Sequence, residues 1–222
     1  MDKLGHRDRL REKLLNSKIG SLPDYELLEA LLCIALPRRD TKNLAKELIK
    51  KFGSFAKVVT AEEEALLEVN GIGNTALSCF RLTKEASLRL IKEELNNKPV
   101  LSSWQSVLNY SRVLIGHANK EMFVVFYLNN QNILIAEDIY DYGTVDQVSI
   151  YPREIAKRAL FLNASAIILA HNHPSGETKP SKSDVEMTNN INTVLKTFNI
   201  RLHDHVIISD KNFYSFKTAG LL

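Results

Sequence analysis

The pattern of apolar and polar positions divides this chain into two stretches. Up to about residue 98 the apolar residues recur every three to four positions, as on one face of a helix. Leu10, Leu14 and Leu15 keep that spacing among Lys3, Arg7, Arg9, Arg11, Lys13 and Lys18, giving a basic amphipathic segment. Pro23 and Asp24 announce a helix over 25–32 that Pro37 breaks, and a second helix over 41–52 ends on Gly53, a suitable C-terminal cap. A third helix is expected over 62–69. The pattern over 83–98 is a helix running out into a polar linker before Pro99, so a domain boundary is expected near residue 98. Residues 1–98 then form a small all-helical domain.

Beyond Pro99, short apolar runs alternate with helical patterns. A helix over 103–114 turns Trp104, Val107, Leu108 and Val113 toward a core. Residues 122–128 read as a buried strand, 129–132 as a turn and 133–139 as the returning strand. Pro152 opens a helix over 153–163, which leads into the apolar, β-branched run 164–170. A helix from Ser181 to about Asn199 precedes strands over 201–209 and 213–216. Strands alternating with covering helices predict an α/β (α+β) sheet with helices packed on it for residues 99–222.

At 45% hydrophobic and 25% charged, the 222-residue chain has the composition of an ordinary globular protein with a substantial core. Its net charge of +3 is unevenly placed: residues 1–98 carry 18 Lys and Arg against 15 Asp and Glu, and residues 99–222 carry 11 of each. Any attraction to nucleic acid therefore belongs to the first part, and it is mild. Cys33 and Cys79 lie far apart in apolar helical contexts and read as reduced residues of a cytosolic protein. No N-terminal apolar segment and no run near the roughly 20 residues that span a bilayer is present, so a cytoplasmic location without a membrane partner is expected.

Residues 66–77 contain Gly71-Ile72-Gly73 between two helical patterns, which resembles a helix-hairpin-helix. Such a hairpin aims backbone amides and a helix N-terminus at a DNA phosphate, and Gly71 and Gly73 are the residues that would make the contact. This copy departs from the usual pattern. No Lys or Arg occurs between Asn70 and Phe80, and Leu77 stands where a small residue usually packs the second helix.

The densest chemistry is His171-Asn172-His173-Pro174-Ser175-Gly176, followed by Ser181-Lys182-Ser183-Asp184. At the end of a strand, residues i and i+2 point to one side, roughly 7 Å apart along the backbone, so two imidazoles can converge on one ion. Pro174 stops the strand, the loop folds back, and Ser181 becomes the N-cap of a helix with Asp184 in its first turn. Two histidines and a carboxylate leave one tetrahedral position for water, the arrangement of a catalytic rather than a closed structural zinc site. Ser181 and Asp184 also have the spacing of a capping box, a purely local role.

This segment resembles the metal motif of the JAMM/MPN+ metalloproteases, and the spelling with Asn172 between the histidines is similar to the RadC-like branch. The resemblance extends over nearly the whole chain and is most specific from about Pro99 onward. It implies a JAMM/MPN-like fold, ligation of one zinc ion per chain by His171, His173 and Asp184, and a Ser181 hydroxyl that stabilises a tetrahedral intermediate. Three glutamates compete as general base. Glu121 immediately precedes the first strand, where the catalytic glutamate of the family stands; Glu137 lies in the returning strand, and Glu154 sits at a helix N-terminus where it also suits the dipole.

His203 and His205 form a second His-x-His pair without a following loop, which favours packing or support of the metal ligands over ligation. Tyr140 and Tyr142 flank Asp141 ahead of Gly143, and the loop over 138–149 is a candidate for substrate recognition. The function expected is a zinc-dependent hydrolase of the metallopeptidase type, in which water on the metal attacks the carbonyl of a peptide or isopeptide-like amide. The alternative is a DNA-associated adaptor that binds through residues 1–98 and keeps a structural or vestigial metal. Neither the substrate nor the oligomeric state is legible.

Overall fold

The computed structural model describes residues 3–141 and 151–222. Tyr142, Gly143 and most of the candidate recognition loop lie outside the described residues. The chain divides into two compact units, Met1–Ala86 and Ser87–Leu222.

The first unit is helical: α1 (Lys3–Asn16), α2 (Asp24–Ala35), α3 (Lys42–Phe52), α4 (Phe55–Thr60), α5 (Glu63–Leu67) and the start of α6 (Asn74–Asn97), which carries the chain into the second unit. Local chemistry sets the ends. Gly53, at φ +97°, caps α3 by donating its N–H to Ile49 O, and Ser54 caps α4 by accepting the N–H of Lys57. The core is Leu28, Leu32, Leu48, Val58, Ala76 and Phe80, all essentially without exposed surface. Cys33 and Cys79 are free and half-buried. Helix α4 was not expected from the sequence, because its single turn and a half is too short to display a period.

The second unit adds α7 (Trp104–Ile115), β1 (Met122–Leu128), β2 (Leu134–Asp141), α8 (Pro152–Phe161), β3 (Ala166–Asn172), α9 (Lys182–Thr197), β4 (Arg201–Ile208) and β5 (Phe213–Ser215). Among the described residues the strands form one sheet in the order β2-β1-β3-β4-β5, antiparallel except for the β3/β4 pair that α9 connects. Helices cover both faces. Val124, Phe126, Ile168, Ala170, Val206 and Ile208 meet Val107 and Leu108 of α7 and Leu95 of α6 on one side. Phe123, Val125, Ile167 and Leu169 meet Ile155 and Ala159 of α8 and Ile191 and Leu195 of α9 on the other. This is the α/β sheet with covering helices read from the sequence. With both faces covered, every residue of β3 is buried, so its sequence is a continuous apolar run rather than an alternation.

Two features of this fold position the site. Strand β3 starts later than the apolar run suggested and extends through His171 and Asn172, so both are strand residues with opposite facing. Ile191 and Leu195 are fully buried, each contributing about 1.5–3 kcal/mol, and they dock α9 so that its first turn returns to the end of β3. No helix of the described residues is long and apolar enough to cross a membrane.

Candidate metal centre

Register places four side chains on one face. Phe123 of β1 pairs with His171 of β3. By alternation, Glu121, two residues before Phe123, and His173, two residues after His171, belong to the same side of the sheet. Helix α9 supplies Asp184 from its first turn. The ligating atoms of Glu121, His171, His173 and Asp184 lie within 4.8 Å of one another, a group that can hold a metal ion. His171 and Asp184 are buried, and Glu121 and His173 are half-buried.

Hydrogen bonding fixes which nitrogens carry protons. Thr188, one turn after Asp184, has one hydroxyl proton and places it on the Asp184 carbonyl (2.5 Å), which can only accept. Its oxygen therefore accepts from His205 Nδ1–H (2.6 Å), and neutral His205 is left with a bare Nε2. That nitrogen accepts from His171 Nδ1–H (2.8 Å), which leaves His171 Nε2 bare. His173 reaches the same state by another route, since its Nδ1–H donates to the Glu177 carbonyl (2.7 Å). In their neutral forms the two rings thus turn unprotonated Nε2 atoms toward each other at 3.0 Å.

Carboxylates close the group. Asp184 Oδ1 is 3.6 Å from His171 Nε2, and Oδ2 is 3.4 Å from His173 Nε2. Burial opposes ionisation of Asp184, but the neighbouring His171 imidazole and hydrogen bonding from Ser181 outweigh it and hold the carboxyl well below the usual carboxylate range. Lone pairs of this kind repel one another unless a cation lies between them. A tetrahedral ion with bonds of about 2.0–2.2 Å has ligand-to-ligand edges of about 3.3–3.6 Å, and the three separations of 3.0, 3.4 and 3.6 Å bracket that range. The donor set, two imidazoles and carboxylates, fits zinc.

The supporting chain is dry. His205 has no exposed surface; its ring stacks on Phe216 at 4.6 Å and meets the edge of Phe123 at 5.7 Å. Burial first, and then the neighbouring His171 ring, depress its pKa, so it stays neutral as the tautomer chain requires.

Asn172, between the two histidines, points to the opposite face and holds the approach to Glu121. Its Nδ2 donates to the carbonyls of Ala118 (3.2 Å) and Lys120 (2.9 Å), and its Oδ1 accepts the N–H of Met122 (2.7 Å). One buried amide thereby fixes the backbone on both sides of Glu121.

Of the other candidates, Ser181 caps α9. The reciprocal capping box is present, with Ser181 N–H donating to Asp184 Oδ2 (2.7 Å) and Asp184 N–H donating to Ser181 Oγ (3.1 Å). Asp184 therefore combines the local role with a place in the metal-binding group, and Ser181 stands exposed beside it. Glu137 pairs in register with Phe126 and accepts from Lys92 Nζ and Tyr110 Oη (both 2.7 Å), on the face away from the histidines. Glu154 sits in the first turn of α8 beside Arg153. Tyr140 pairs with Phe123, the neighbour of His171. In the first unit, Gly71 and Gly73 lie in the turn between α5 and α6; Gly71 has φ +105°, and its carbonyl accepts from Arg39 Nη1 (3.2 Å).

Comparison with known proteins places this geometry. Residues 101–221 match the family described as the RadC-like JAB domain, and residues 1–78 match the UPF0758 N-terminal family. A UPF0758 protein of Ruegeria pomeroyi is 44% identical over 217 residues, covering 98% of this chain and 97% of the relative. The chain belongs to the RadC-like UPF0758 family. A UPF0758 protein of Rhodobacter capsulatus is also 44% identical, over 213 residues that cover 96% of this chain and all of the relative.

Within this RadC-like chain, sequence reasoning missed Thr188 and Asn172 as supports of the site. Thr188 carried a usable signal, because four residues after Asp184 on a helix is the same face. Asn172 carried none, since its partners lie about fifty residues away.

Proposed function

We propose that this protein is a zinc-dependent hydrolase of the metallopeptidase type, binding one zinc ion per chain and cleaving a peptide or isopeptide-like amide. The observation that carries this reading is the convergence of the His171 and His173 Nε2 atoms with the Asp184 and Glu121 carboxylates. His171, His173 and Asp184 are the protein ligands. Bound zinc would supply a Lewis acid that acidifies water to a pKa near 7 and polarises a carbonyl.

The chain's own residues supply the rest. Glu121, held by the Asn172 clamp, accepts the proton of the attacking water and returns it to the leaving amine. The Ser181 hydroxyl, beside Asp184, donates to the developing oxyanion. Thr188 and His205 keep the His171 Nε2 lone pair free for the metal.

The test separates binding from chemistry. The zinc-loaded protein is screened against peptide and isopeptide-like amides, and Glu121→Gln is then compared with the wild type. The variant should retain its zinc and lose hydrolysis by about 10²–10⁴-fold. Full activity in Glu121→Gln would remove Glu121 from the proton transfer, and no amide cleavage by any zinc-loaded preparation would count against a peptidase.

A further inference from the structure

The opposite end of β4 carries a second arrangement that the metal centre does not use. Arg201 pairs with Ala166 at the start of β3, whereas Ile207 pairs with His171 near its end, six residues and roughly 20 Å farther along. At the Arg201 end an open cleft of about 690 Å³ is lined by Lys196, Arg201, His203 and Lys217, with apolar surface from Leu101 and Leu202. No acidic side chain lines it among the described residues.

Among the described residues, no side-chain hydrogen bond or ion pair engages Lys196, Arg201 or Lys217. Lys196 lies in the last turn of α9, where a positive charge has a local reason, but Arg201 and Lys217 have no such helix end to complement. His203 reports their mutual proximity. Its Nε2–H donates to Asn132 Oδ1 (2.6 Å), and burial, followed by the charges of Arg201 and Lys217, pushes its pKa down. Three positive charges around one concavity repel each other, and a multiply charged anion with several acceptor oxygens relieves that repulsion. Arg supplies a planar fork and Lys a point charge for a tetrahedral oxyanion.

We propose that this cleft is an anion site, separate from the metal centre, that takes the phosphate group of a phosphorylated small molecule. Arg201 and Lys217 hold the phosphate, Lys196 adds charge at the rim, and Leu101 with Leu202 lies against the organic part. Bound phosphate also removes the repulsion that Arg201 and Lys217 exert on His203. The imidazole therefore gains a proton more readily when the site is filled.

The experiment is a titration of the full chain with sodium sulfate, inorganic phosphate and adenosine monophosphate at constant ionic strength, followed by two-dimensional NMR. Sulfate stays dianionic across neutral pH, so any pH dependence of its binding reports on the protein. The expected result is a saturable response at Arg201, His203 and Lys217, weakened about tenfold or more in Arg201→Gln and in Lys217→Gln and unchanged in Lys211→Gln. A tighter response to adenosine monophosphate than to phosphate assigns an organic phosphate as the ligand; equal responses assign free phosphate and remove the role of Leu101 and Leu202. An unsaturable response, or one that survives both substitutions, overturns the site. The readout needs neither zinc nor hydrolysis, so it stands or falls apart from the metal centre.

Discussion

Replacing Thr188 by Val removes one hydroxyl from the buried chain that ends at His171 while keeping the side-chain volume nearly constant. In the native arrangement that hydroxyl accepts from His205 Nδ1–H and donates to the Asp184 carbonyl. Without it, the Nδ1–H is buried without a partner, at about 1–3 kcal/mol. The alternative tautomer of His205 puts a proton on Nε2, facing His171 Nδ1–H at 2.8 Å. His171 can escape only by moving its own proton to Nε2, the atom that would ligate the metal. Either route weakens metal binding, and losses of about 10–100-fold are typical when such a supporting partner is removed, equivalent to about 1.4–2.8 kcal/mol. Competitive zinc titration against a chelator measures the affinity, and ¹⁵N shifts of the histidine rings report the tautomers in the metal-free protein. Thr188→Ser keeps the hydroxyl and should restore both. Wild-type zinc affinity in Thr188→Val, with His171 still protonated on Nδ1, would refute the tautomer chain.

Three further outcomes are expected. Asn172→Ser loses at least two of three buried hydrogen bonds, so the fold should weaken by about 1–3 kcal/mol, and amide exchange at Met122 should accelerate well beyond the rest of β1; unchanged exchange there would dissolve the clamp on Glu121. His205 and His203 both have depressed pKa values. The unfolded chain therefore binds more protons than the fold below about pH 6.5, and stability of the metal-free protein should fall as pH drops from there, by up to about 1.4 kcal/mol per unit for each histidine. Urea unfolding at pH 7.5 and 5.5 checks this, with equal stabilities as the contradicting result. The turn holding Gly71 and Gly73 has Arg39 as its adjacent cation, so DNA binding through it should depend on salt with a logarithmic slope of only about −1 to −2; a slope of −5 or steeper would point to a much larger phosphate contact.

What the sequence disclosed was whatever lies close together along the chain. His171 and His173 were legible because alternation at a strand end needs only two residues, and Asp184 because a capped helix start follows a loop of readable length. The ambiguity among Glu121, Glu137 and Glu154 turned on register. Glu137 pairs with Phe126 and Phe123 pairs with His171, which sends the side chains of Glu137 and Glu121 to opposite faces, and no local pattern reveals that pairing. The lack of a loop after His203 and His205 pointed to packing or support, but that His205 supports His171 while His203 bonds Asn132 depends on β4 lying beside β3, a strand order that periodicity cannot supply. Asn172 was visible only as a spelling; its work is done on carbonyls delivered by the preceding strand's approach.

The proposed function requires His171, His173 and Asp184 to hold a zinc ion. Elemental analysis of protein purified without a histidine tag, beside His171→Ala and Asp184→Ala with their folds checked by circular dichroism, tests it most directly. About one zinc per chain is expected in the wild type, with loss of the metal in both folded variants. A folded wild-type protein that contains no zinc and takes up none when it is added would contradict it.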